Sequence, residues 1–185
     1  MDVRPVLELI AAAREGTACT LVGIGGHGGA GKTTLARLIP GAQIVSTDEF
    51  WDGAGFDLPR LARDVVTPLV EARPATFSSY DWAAQALRGS RTVEPEGVVV
   101  IEGVCALHRM LRDAYAVRVW VEAPSEVRLA RGLARDGEEA RSTWVDVWMP
   151  SEERYVAQDD PVACAHLIVI GLGDPAGGWK RGMSR

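Results

Sequence analysis

The chain has 185 residues, 47% of them apolar, which suits one domain of ordinary size with a full core. A net charge of −5 argues against a duplex-binding protein, whose affinity must come from neutralising phosphates. Cys19, Cys105 and Cys164 are odd in number and form no C-x-x-C pair, so neither a disulfide framework nor a zinc site is indicated, and no apolar run approaches the roughly 18 residues of a membrane span.

The expectation is therefore a single cytoplasmic domain over residues 1–185, with no membrane or nucleic-acid partner. Val6, Leu7, Leu9, Ile10 and Ala13 recur at helical spacing, so the N-terminal segment 1–16 carries a helix over residues 4–14, laid against the sheet edge. Residues 20–25 run apolar and β-branched into a glycine-rich loop, and residues 34–39 leave it with helical spacing. Pro40-Gly41 stops that helix, and residues 42–46 form a second strand that delivers Thr47, Asp48, Glu49 and Phe50 at its end. Residues 58–72 read as a helix with Leu61, Val65, Leu69 and Val70 inward and a kink or break at Pro68. Residues 73–91 have no clean periodicity and read as a substrate-facing loop.

Residues 97–101 are continuously apolar, as a strand covered on both faces should be. A short helix over 106–113, a strand over 116–121, helices over 124–135 and 151–158, and a last strand over 166–170 complete the pattern. The tail 171–185 is expected to be loose, anchored if at all by Trp179. Strands alternating with helices predict an α/β fold with a mostly parallel sheet of about five strands and helices on both faces. In such sheets ligands sit at the carboxyl ends of the strands, where Gly25, Asp48, Glu102 and Glu122 fall.

The loop itself, Gly26, His27, Gly28, Gly29, Ala30, Gly31, Lys32 and Thr33, fits G-x-x-x-x-G-K-[ST] at every required position and has the strand before it and helix after it that the pattern needs. Its backbone N–H groups, Thr34 included, are the expected cradle for a nucleoside triphosphate. Lys32 would reach the β- and γ-phosphates, and Thr33 would ligate Mg²⁺.

Phosphoryl transfer then asks for a base, a metal-holding acid and cations. Asp48, just past a strand end, is a candidate base; its other reading is an N-cap for the next turn. Glu102 follows four apolar strand residues, where an acid holds Mg²⁺ directly or through a water; a solvated strand-end acid is the alternative. Arg128, Arg131 and Arg135 share one helical face, with Arg141 beyond, and read either as a lid over the triphosphate or as a solvated surface. Trp51 and Trp82 could stack on a base or fill the core.

The order GGHGGAGKTT, VSTDEFW, FDLPRL, SSYDW, VVVIEGV, RLARGLARD and CAHLIVIG resembles the uridine kinase family of P-loop kinases, which includes phosphoribulokinase and pantothenate kinase, over roughly residues 20–171. The resemblance implies transfer of the γ-phosphate of ATP or GTP to a hydroxyl of a small metabolite, a nucleoside first, with Asp48 as base. It also implies that Asp57 holds ribose hydroxyls, that Tyr80 lines the nucleoside pocket, and that Arg131 and Arg135 belong to an Arg-bearing lid, with Asp136 beside Arg135. Three departures stand out. Gln85 replaces the family's histidine five residues after the pocket tyrosine, the lid reads Arg131-Gly132 where a second arginine is usual, and the chain is short between Ser79 and Gly97, leaving little room for a β-hairpin.

The remaining acceptor readings are a sugar, a pantothenate-like precursor or a specialised metabolite. Outside the kinases, a nucleotide-sensing regulator stays open. A guanine-reading GTPase is excluded, because its N-K-x-D motif needs an asparagine and the chain has none.

Overall fold

In this computed structural model, helix α1 (Arg4–Ala13) carries Pro5 in its first turn, where no N–H is needed, and buries Val6 and Ile10. Strand β1 (Cys19–Gly26) leads to α2 (Lys32–Arg37), then β2 (Gln43–Ser46) and a 3₁₀ turn, Thr47–Phe50. A helical stretch follows as α3 (Leu58–Leu61), a π turn (Ala62–Val66) and α4 (Thr67–Val70). After it come β3 (Ala75–Asp81), β4 (Ala86–Val93), β5 (Gly97–Glu102), β6 (Val117–Glu122) and α5 (Ser125–Asp136). A π-helical segment (Thr143–Trp148) leads into α6 (Met149–Asp159), then β7 (Leu167–Ile170) and β8 (Lys180–Arg181). The structure describes residues 3–171 and the backbone of residues 180–181, so most of the predicted tail, Trp179 included, lies outside the described residues.

The main sheet has the order β2-β5-β1-β6-β7-β8, with its first five strands mutually parallel and β8 antiparallel to β7. Side chains alternate between its two faces, and both faces are covered. Val22, Ile24, Val98, Val100, Val119 and Val121 pack with Val6 and Ile10 of α1 and Leu35 of α2. Leu21, Val99, Ile101 and Trp120 face the other way, against Leu61, Val65 and Leu69 of the 58–70 stretch and Leu107, Leu111 and Tyr115 of the β5–β6 connection.

Five local expectations change, the first being that Val70, at the end of its helix, is exposed while Leu61, Val65 and Leu69 are buried. Helix α1 lies over β1 and β6 in the middle of the sheet rather than at its edge, because Val6 and Ile10 join the cluster those strands supply. The chain does not break at Pro68: the N–H of Thr67 reaches back to the carbonyl of Ala62, a widened turn that carries the helix past the residue without a donor. Residues 106–113 form turns and a 3₁₀ turn at Arg112–Ala114 instead of a helix. Residues 73–91 are not an irregular loop, since β3 and β4 pair as an antiparallel hairpin with a register shift between Phe77 and Ser79. There was room for it.

Gly23 has a packing reason. A Cβ there would stand 2.4 Å from the ring of Tyr115 and 2.7 Å from Leu107, both buried. Gly23→Ala is expected to lower the unfolding free energy by about 1–3 kcal/mol through overpacking, read as a lower urea midpoint. An unchanged midpoint would mean that Tyr115 can move aside.

Candidate active site

The loop after β1 owes its shape to glycines in the left-handed region: Gly29 at φ +72° and Gly31 at φ +104°. At Gly29 a Cβ would also lie 2.5 Å from the carbonyl oxygen of Arg128, so α5 sits directly on the loop. Lys32 opens α2, and its ammonium is buried, donating to the His27 carbonyl at 2.8 Å. Burial pulls the Lys32 pKa down, while the carboxylates of Glu102, Glu152 and Asp48 hold it up. The Thr33 hydroxyl donates to Glu102 Oε1 at 2.9 Å.

Glu102 ends β5, opposite Ile24 of β1 and Ser46 of β2, so the sheet register carries it to the phosphate loop. It is 4% exposed, and desolvation raises its pKa against the pull of Lys32 and the Thr33 hydrogen bond. The next residue must be glycine: at φ +150°, a Cβ on Gly103 would meet the buried Thr47 hydroxyl at 1.8 Å.

Asp48 is not the cap of the turn it sits in. Ser46 is, accepting from the Asp48 N–H at 3.3 Å, while Glu49 closes the box by accepting from the Ser46 N–H at 3.0 Å. Asp48 is exposed at its tip, but crowding by neighbouring protein raises the pKa of its carboxyl; Lys32 and then Arg135 oppose that shift. Asp48, Lys32, Glu102 and Arg135 thus share one electrostatic neighbourhood at the carboxyl ends of β1, β2 and β5.

The arginines of α5 divide three ways instead of forming one face over the loop. Arg128 is buried, donating to the Ala123 carbonyl at 3.1 Å and pairing with Glu152 at 3.5 Å. Arg131 donates to the carbonyls of Gly29 at 3.1 Å and Ala30 at 3.4 Å, and so grips the outside of the loop. Arg135 alone couples to Asp48 and Lys32; it pairs with Asp136 through hydrogen bonds of 2.7 and 2.9 Å and lies over the Trp144 ring. Arg141 pairs with Glu138.

On the hairpin side, Asp57 caps α3 by accepting from the Arg60 N–H at 2.9 Å. Tyr80 stands edge-on to Trp82 at 5.1 Å, Trp82 lies 5.6 Å from Trp51, and Trp51 meets Phe56 edge-on. Trp82 is 57% exposed, so it is not a core residue. Gln85 occupies the hairpin turn at φ +49°, exposed, rather than the hairpin wall. Two contributors were given no role by the sequence, although Glu49 stands within the VSTDEFW motif. Glu49 ties the hairpin to the Asp48 turn by accepting from Ser79 at 2.6 Å and Arg91 at 2.8 Å, and Glu152 accepts from the Gly28 N–H at 3.0 Å.

A hydroxyl touching a carboxylate beside a phosphate cradle is a donor set that suits Mg²⁺, which keeps waters and takes one or two carboxylates plus substrate oxygens. Among the described residues no group of three His, Cys, Asp or Glu side chains could hold a metal by itself, so such an ion would depend on phosphate oxygens. No helix among them is long and apolar enough to cross a membrane.

Against known proteins, the phosphoribulokinase / uridine kinase family pattern matches residues 49–162, more than half of the chain. The uridine kinase of Halobacterium salinarum is 29% identical over 138 residues, 62% of this chain and 61% of that one. The uridine kinase of Streptococcus agalactiae serotype V is 27% identical over 64% of this chain and 68% of its own. The first of these relatives is therefore matched over less than two thirds of its length. A Bacillus stearothermophilus protein described as a possible uridine kinase shares the fold, with a TM-score of 0.65 over 91% of this chain and 99% of that one at 17% identity.

His27 carries a pH signature. It is 9% exposed, and burial, with Arg128 and Lys32 nearby, lowers its pKa to about 4. The unfolded chain protonates this ring near pH 6.5 and the folded chain near 4, so stability is complete above that window and falls as the pH drops through it. His27→Gln is expected to remove up to about 3 kcal/mol of the loss between these two pH values, measured by urea unfolding. Superimposable profiles for the two proteins would show that His27 does not titrate in that range.

Proposed function

Since the chain belongs to the phosphoribulokinase / uridine kinase family, we propose that it transfers the γ-phosphate of ATP or GTP to a hydroxyl of a small metabolite in the cytoplasm, with a nucleoside as the first acceptor class. The observation that carries this reading is the Thr33 hydroxyl donating to Glu102 at the phosphate loop, with Asp48, a carboxyl not used as a cap, within electrostatic reach of Lys32 and Arg135.

The loop amides other than that of Gly28, with Lys32, orient the triphosphate, and Thr33 with Glu102 would hold Mg²⁺. When bound, that ion would supply positive charge to the phosphates. Asp48 takes the proton of the acceptor hydroxyl as that oxygen bonds to the γ-phosphorus and the bond to the bridging β-oxygen breaks, leaving the nucleoside diphosphate. Arg135 leaves Asp136 to meet the transferring phosphoryl group, where its charge counts most in the transition state. The acceptor lies under the hairpin, with Asp57 and Tyr80 as its polar contacts and Trp51 and Trp82 offering planar faces, which suits a nucleobase. Gln85, exposed in the turn, would reach it only if the hairpin closes.

Asp48→Asn keeps the side chain's shape but cannot accept the proton, so single-turnover transfer should slow about 10²–10⁴-fold while nucleotide affinity barely moves. Transfer at the wild-type rate would remove Asp48 from the chemistry. A protein that binds nucleotide and transfers to nothing would be a sensor instead.

A further inference from the structure

Glu152 lies 124 residues from the phosphate loop in sequence, yet its carboxylate accepts the Gly28 N–H at 3.0 Å. It is 7% exposed, and the guanidinium beside it, Arg128, is 5% exposed, with one terminal nitrogen that finds no hydrogen bond other than the 3.5 Å ion pair. A buried carboxylate next to a cradle for anions is an unfavourable choice for packing alone. The fit is close on every side. A Cβ on Gly28 would meet Glu152 Oε1 at 2.7 Å and the Trp144 ring at 3.0 Å, and a Cβ on Gly132 of α5 would meet the same ring at 2.4 Å. The beginning of α6, the Thr143–Trp148 segment and α5 therefore converge on one loop amide.

We propose that Glu152 is a positioning residue for nucleotide binding: by holding the Gly28 N–H, it sets the phosphate loop in its receiving shape before the triphosphate arrives. It touches no substrate and acts through the loop. Arg128 offsets its charge, so the carboxylate stays compatible with incoming phosphates. A preformed loop spares the ordering cost that a slack glycine-rich segment would charge against binding.

The inference rests on the loop being a nucleotide cradle, and ADP with Mg²⁺ tests it without an acceptor. Titration calorimetry on the full chain is expected to show Glu152→Ala binding about ten- to a hundredfold more weakly than wild type. Glu152→Gln, whose amide oxygen can accept the same N–H, should recover most of that affinity. Because Glu152→Ala strands a buried guanidinium, Arg128→Met/Glu152→Ala is measured beside it and should bind as weakly as the single Ala variant. Wild-type affinity in the folded double variant would overturn the proposal. So would a Gln variant as weak as Ala, which would assign the effect to the ion pair. If wild type itself fails to bind ADP with Mg²⁺, the reading of the loop falls first and this proposal with it.

Discussion

An ammonium buried where β1 turns into α2 constrains everything near it. Lys32 has almost no contact with water and a single neutral carbonyl as hydrogen-bond acceptor, so burial pulls its pKa down. Glu102, Glu152 and Asp48 oppose that pull, and each arrives from a different element: the end of β5, the first turn of α6, and the turn after β2. The charges balance one another. The lysine's pull opposes the desolvation that raises the pKa of all three carboxyls.

That balance depends on the sheet. Parallel pairing puts Glu102 level with Ile24 and Ser46, so the acid, the loop strand and the Asp48 turn meet at one edge. Gly103 lets Thr47 close against β5, which sets the start of that turn. Glu49 then ties the turn to the hairpin through Ser79 and Arg91, and Arg60 adds bonds to the Ser78 and Glu49 carbonyls while lying over Phe50. The hairpin is thus fastened to the residue proposed to do the chemistry.

The sequence was most legible where function and local order coincide. The phosphate loop, the apolar run before Glu102 and the turn after β2 each sit within one strand-loop unit, and all are where the motif spacing puts them. The hairpin was illegible because β4 is exposed along nearly its whole length and shows no apolar alternation; its pairing with β3 and the contacts of Glu49 hold it. The arginines of α5 shared a helical face, but spacing cannot say that Arg128 meets a buried carboxylate or that Arg131 grips loop carbonyls. Glu152 left no mark at all, because its partner is a backbone amide far away in the chain.

The most direct measurement is a panel of nucleosides and other hydroxylated metabolites incubated with the protein, Mg²⁺ and ATP or GTP, scored together for nucleoside diphosphate and phosphorylated acceptor. The expected result is one acceptor class that gains a single phosphoryl group in step with diphosphate formation. Diphosphate released one-for-one with free phosphate, whatever acceptor is offered, would contradict the assignment of a kinase.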